Sequence, residues 1–128
     1  MLRTIFSRTA LTMGFVLLTG AAFAQVPVTT VSTDIGDVIA DEAGFVLYTF
    51  RNDAEGVSNC YDQCAQNWPP FFAGDGATEE DGYTLVTRND GTVQWAKDGL
   101  PLYYWVGDVE PGDTTGDGVG GNWDVARP

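Results

Sequence analysis

The stretch Leu47-Tyr48-Thr49-Phe50-Arg51-Asn52-Asp53 returns later in the chain as Leu102-Tyr103-Tyr104-Trp105-Val106-Gly107-Asp108. Both read Leu-Tyr-x-aromatic-x-x-Asp, 55 positions apart by subtraction (103 − 48). The same offset pairs Thr29 with Thr84, Val31 with Val86, Gly36 with Gly91, Val38 with Val93, Gly44 with Gly99, Asn67 with Asn122 and Trp68 with Trp123. So many identities on one ungapped diagonal mark an internal duplication. A single unit of this length buries little core, so the two copies must build one between them.

Within the first copy, Val28 to Thr33 is β-branched and alternating, which predicts a strand. Asp34 to Asp37 reads as a turn, Val38 to Ala40 as a second strand, Asp41 to Gly44 as a turn, and Phe45 to Phe50 as a third strand. The second copy repeats this plan in Thr84 to Arg88, Val93 to Ala96 and Leu102 to Val106, with Asp90-Gly91 as a hairpin signal. After each meander come a polar loop and a tryptophan, fifteen positions beyond the motif Asp (68 − 53 and 123 − 108). Trp68-Pro69-Pro70 cannot lie within a central strand, because proline donates no ladder hydrogen bond. Asn122 to Val125 can pair as a last short strand, and Ala73 to Gly82 reads as the connector. Only Asn59 to Asn67 has room for about two helical turns. The expected class is all-β: one small domain of two pseudo-symmetric β-meander repeats, about 28–80 and 83–128, with a short irregular or helical Cys-containing loop.

Residues 1–24 have the pattern of a secretory signal peptide: Arg3 and Arg8, then the apolar run Ala10 to Leu18, then Ala22-Phe23-Ala24 as a small-x-small cleavage site. The run is too short for a stable membrane anchor. Cleavage after Ala24 leaves 25–128, which is 104 residues (128 − 24). Without Arg3 and Arg8, four basic residues face eighteen acidic ones, a net charge of −14 (4 − 18). Such a chain repels phosphate, so a nucleic-acid partner is excluded, and it favours cations and basic partners. There is no histidine. The usual neutral-pH base and the commonest zinc, copper and haem ligand are therefore missing, and only carboxylate-based catalysis stays open.

On a strand, Tyr48 and Phe50 share one face, as do Tyr103 and Trp105. Asp53 and Asp108 fall just past the strand ends, where a carboxylate can accept loop N–H groups or a tyrosine hydroxyl. This set is read as a packing-and-turn device, with an aromatic and carboxylate ligand surface as the alternative. Trp95 and Tyr104 face Ala40 and Thr49 on the diagonal, which marks them as candidates for exposed contacts. Cys60 and Cys64 are the only cysteines. Outside the cytosol they should form a disulfide, worth about 2 kcal/mol for so short a ring. Redox work is the alternative, although no basic neighbour in sequence would lower a thiol pKa. The second copy has Thr115 and Val119 in their place. Asp108, Glu110, Asp113 and Asp117 lie in a Gly-rich loop and are candidate oxygen ligands for calcium, the one cofactor considered; a solvated acidic turn is the alternative.

Taken together, the doubled motif, Ser58-x-Cys60-x-x-x-Cys64 before Trp68-Pro69-Pro70, and Pro101-Leu102-Tyr103 before Gly107-Asp108 and Pro111-Gly112-Asp113 carry a resemblance. They resemble a family of small bacterial secreted proteins and predicted lipoproteins named for Tyr-x-(Phe/Trp/Tyr)-x-x-Asp. The resemblance runs from about Asp34 to Val125. It implies a secreted repeat and implies no reaction, since the family's function is unknown. Many members carry a lipid-attachment Cys at the end of the leader; here no Cys precedes Cys60.

The functional expectation is an exported, periplasmic or secreted, non-catalytic β-domain that binds an unknown protein, small ligand or cation through its loop face. The alternative is an accessory redox or electron-transfer-associated protein using the Cys60/Cys64 pair or the aromatic cluster. A carboxylate-only enzyme ranks third. Mass spectrometry of the exported protein should find a chain beginning at Gln25 with no acyl group. A retained leader or an added acyl mass would refute this.

Overall fold

β1 (Val28–Thr33) and β2 (Gly36–Asp41) form an antiparallel hairpin with Thr33 opposite Gly36. Gly36 closes the turn at φ 101°, a conformation that strains residues with a side chain and not glycine. The structure is a computed structural model that describes residues 26–128. The leader read at 1–24 lies outside the described residues. β3 (Tyr48–Phe50) follows, then a five-residue helix α1 (Gln63–Asn67), shorter than the two turns allowed for. β4 (Tyr83–Thr87), β5 (Val93–Lys97) and β6 (Leu100–Pro101) form an antiparallel meander, and β7 (Trp123–Val125) is the last strand. Among the described residues no helix is long and apolar enough to cross a membrane.

The two copies interlock. β7 of the second copy pairs with β3 of the first, Tyr48 opposite Val125 and Phe50 opposite Trp123. The equivalent segment of the first copy, Trp68 to Phe71, lies along residues 102–106 of the second. Arg51 N–H donates to the Asn122 carbonyl at 2.8 Å, and Val106 N–H to the Asn67 carbonyl at 3.1 Å. Ala126 N–H donates to Leu47 at 2.8 Å, and Phe71 N–H to Leu102 at 2.9 Å. Each pair of bonds is related by the 55-residue offset. Tyr48 and Tyr103 exchange both backbone hydrogen bonds, at 2.8 and 2.9 Å, so the pseudo-twofold axis passes between them. The predicted strand 102–106 is reduced to a bridge at Tyr103, because Pro69 and Pro70 beside it donate no hydrogen bonds.

One expectation needs correction. The diagonal is not ungapped. Thr29 faces Ala40 in the first hairpin and Thr84 faces Ala96 in the second, so β2 and β5 are related by 56 (96 − 40), not 55. The first turn of the second copy is one residue longer and its second turn one residue shorter, which restores the offset. Trp95 is therefore the counterpart of Ile39, not of Ala40.

With that register the core is symmetric. Ile39 and Trp95, Leu47 and Leu102, and Phe71 and Ala126 pack in one cluster. Tyr48 and Tyr103, with Trp68 and Trp123, pack in the other, beside Val38, Val46 and Val125. Neighbouring residues such as Leu47 and Tyr48 point to opposite clusters, as strand geometry requires. At the axis, Trp68 and Trp123 stack face to face with centroids 3.7 Å apart. Trp105 lies 4.2 Å beyond Trp68, and Phe50 lies 4.2 Å beyond Trp123. The four rings make one stack with buried inner and half-buried outer members. Trp68→Ala and Trp123→Ala should each lower unfolding free energy by about 3–5 kcal/mol. Phe50→Ala and Trp105→Ala should cost less, as measured by urea denaturation. Equal losses at all four positions would contradict the stack's burial gradient.

Candidate functional site

The motif residues meet across the axis. Tyr48 O–H donates to Asp108 Oδ2 at 2.6 Å, and Tyr103 O–H donates to Asp53 Oδ2 at 2.7 Å. Each tyrosine thus bonds the aspartate of the other copy, a crossing that spacing within one copy cannot reveal. The second oxygen of each carboxylate caps its own loop. Asp53 Oδ1 accepts the Asn59 N–H at 2.7 Å; Asp108 Oδ1 accepts Thr115 N–H at 2.9 Å and its hydroxyl at 2.7 Å. Both tyrosines are fully buried. Burial and the hydrogen bond to Asp108 push the Tyr48 phenol far above its ordinary range. Burial, with Asp53 adding to it, does the same to Tyr103. Burial also raises the Asp53 carboxyl, opposed by the bonds from Tyr103 and Asn59 and by the charge of Arg88. Phe50 and Trp105 stand at the ends of the ring stack and make no side-chain hydrogen bond to these pairs.

Arg88 went unnoticed in the sequence. Its side chain is 4% exposed. One terminal nitrogen donates to Ser58 Oγ and Gln94 Oε1, both at 2.8 Å, and the other to the Cys60 carbonyl at 2.7 Å. The Tyr61 ring covers the guanidinium at 4.3 Å. Ser58 Oγ also lies 2.6 Å from the Tyr103 hydroxyl, so one network runs from Arg88 to Asp53. A buried cation held by neutral oxygens leaves no signal in a strand pattern. Cys60 and Cys64 are disulfide-bonded, and Cys60 is fully buried. The bridge fixes the loop that carries the Cys60 carbonyl and Ser58 to Arg88.

The acidic loop does not gather its carboxylates. Asp108 serves Tyr48 and Thr115; Asp113 Oδ2 accepts the Val109 and Glu110 N–H groups at 2.9 Å; Asp117 Oδ1 accepts Val125 N–H at 3.0 Å. Glu110 is exposed. Among the described residues no group of three or more His, Cys, Asp or Glu is placed to hold a metal ion. The three aspartates among the candidate calcium ligands each fasten their own piece of backbone instead.

Trp95 is not an exposed contact. It is 2% exposed and packs in the core where Ile39 packs in the other half. Tyr104 is half-buried, with its hydroxyl on Asp41 Oδ2 at 2.7 Å and its ring edge-on to Phe71 at 5.7 Å. Where the opposite half has these groups, an open cleft of about 250 Å³ is lined by Thr49, Lys97, Asp98, Leu100, Val125, Ala126 and Arg127. Two of the four basic residues after the leader therefore lie at one cleft. Arg51 is paired with Asp124 at 2.7 Å and Arg88 is buried.

A family model described as a secreted repeat of unknown function matches the chain twice, over residues 29–72 and 84–127. No curated protein and no solved structure matches it.

The crossed pairs set a pH dependence. A phenol whose native pKa is raised stabilises the fold fully below its unfolded pKa of about 10. Above that value only the unfolded chain releases the proton, and stability falls as pH rises. Urea denaturation at increasing pH should show this loss beginning near pH ~10. Tyr48→Phe and Tyr103→Phe should each cost about 1–3 kcal/mol at neutral pH, by stranding a part-buried carboxylate. Each should also reduce the alkaline slope by one proton. An unchanged slope in both variants would rule out the crossed pairs as its source.

Proposed function

The chain belongs to the family of secreted repeats of unknown function, and on that premise we propose that it works outside the cytosol as a non-catalytic binding domain. The observation that carries this reading is the open cleft between β3, β7 and the β5–β6 hairpin. Its lining joins apolar side chains to Lys97 and Arg127, the combination by which a pocket holds and orients a small ligand. The motif carboxylates support the same reading, since their oxygens already accept protein hydrogen bonds. Each of these oxygens holds a structural hydrogen bond, which favours an anchoring role for the two aspartates over acid–base work. Cys60 is fully buried and Cys64 half-buried, which favours a staple over a redox centre, because exchange requires access to sulfur.

Thermal unfolding of the mature protein against a varied panel of small metabolites and cell-envelope fragments tests this. A ligand at a hundredfold excess over its Kd should raise stability by about 2.7 kcal/mol and be recovered unchanged. Conversion of a compound during the assay, or a melting temperature unmoved by the whole panel, would overturn the reading.

A further inference from the structure

The pseudo-twofold axis supplies a template for the guest. Under the corrected register, Thr49 corresponds to Tyr104 (104 − 49 = 55), Ala126 to Phe71 (126 − 71 = 55) and Lys97 to Asp41 (97 − 41 = 56). In the closed half, the Tyr104 ring lies edge-on to Phe71 and its hydroxyl ends on Asp41 Oδ2 at 2.7 Å. In the open half all three positions differ together. Two rings are replaced by Thr49 and Ala126, and the carboxylate acceptor by an ammonium donor.

From this we infer that the cleft binds a small aromatic acid, with one planar ring in the place Tyr104 takes in the other half and an anionic group toward Lys97. The inference rests on the binding-domain reading and names its ligand class. Size agrees: an apolar cavity of about 150 Å³ accepts benzene, and this one, at about 250 Å³, has room for a ring with a polar substituent. Polarity agrees too. Tyr104 presents a donor to a carboxylate; a guest facing Lys97 must present an acceptor. Arg127 adds a five-donor guanidinium at the rim, one nitrogen of which donates to the Asp37 carbonyl at 3.0 Å. Asp98 opposes an anion, but its 3.3 Å pair with Lys97 is solvent-exposed on the Asp98 side, and such pairs exchange partners at little cost. The remaining walls, Leu100, Val125 and Ala126, are apolar.

The test is a titration of the isotope-labelled mature protein with benzoate, benzylamine and acetate, read by amide chemical shifts over the whole chain. Benzoate should cause saturable shifts at Thr49, Leu100 and Ala126, while the ring with the opposite charge and the charge without the ring should not at equal concentration. Thr49→Tyr should refill the cleft as Tyr104 fills its counterpart and weaken benzoate at least tenfold, with the spectrum and melting temperature of a folded protein. Lys97→Met should remove the preference for benzoate over benzylamine. Benzoate shifts that are absent, lie elsewhere or survive Thr49→Tyr would overturn the assignment. If other panel compounds then shift residues outside the cleft, the binding-domain reading stands without it; if none shifts any residue, both fall.

Discussion

Two buried phenols need acceptors, and each finds its acceptor in the other copy. A hydroxyl taken out of water without a partner costs about 1–3 kcal/mol. Tyr48 meets this demand with Asp108 and Tyr103 with Asp53. Neither copy alone can satisfy its own motif. The duplication is therefore not two units side by side but one unit completed twice. The Trp68–Trp123 stack lies at the same axis and fills the space between the crossed pairs, with Trp68 edge-on to Tyr48 at 5.4 Å and Trp123 edge-on to Tyr103 at 5.2 Å.

Backbone pairing follows the same exchange. β7 closes onto β3, and the segment around Phe71 closes onto Leu102, so each copy ends by adding to the other's sheet edge. Even the second turns take part. Gly44 and Gly99 each give their carbonyl to a glycine N–H, of Gly112 and Gly56, at 2.9 and 2.8 Å. Where the copies differ inside the core, a local network compensates. Gln94 stands where Val38 stands in the first copy, and both ends of its amide are used, by Arg88 and by the Leu102 carbonyl at 2.7 Å. The disulfide loop supplies the other acceptors for Arg88. Its absence from the second copy matches the absence of such a cation from the first: the counterpart of Arg88 is Thr33 (88 − 33 = 55).

Much of this fold is legible in the sequence because strand alternation and identities at a fixed offset are local or pairwise signals. They carry both hairpins and the late strand at Trp123, while the disulfide follows from the leader and the two cysteines. The crossing of the motif was not legible, since spacing says that Asp53 follows Tyr48 but not which tyrosine it meets. The slip to 56 in β2 and β5 was hidden by Gly36/Gly91 and Val38/Val93, coincidences on the wrong diagonal. The Ala40/Ala96 identity at 56 was the available clue. That slip is what made Trp95 look like an exposed extra. The cleft was illegible for the same reason: without the true register, Lys97 cannot be matched to Asp41.

The place where the halves diverge follows from what a void costs. A closed apolar cavity destabilises by about 24 cal/mol per Å³, so a volume of about 250 Å³ buried at the axis would cost roughly 6 kcal/mol. That is comparable to the whole stability of a small domain. Thr in place of Tyr48 or Ala in place of Trp68 would therefore remove a large share of that stability. Thr49 and Lys97 are half-buried, and the space beside them opens to water. There the loss is only that of apolar surface left exposed, at about 25 cal/mol per Å². The axis holds the copies alike at Tyr48, Tyr103, Trp68 and Trp123, and that rigidity is what lets one rim position be vacated while its mate stays filled. A guest entering the vacated position finds walls already set by the closed half's geometry, and little ordering remains to be done on binding.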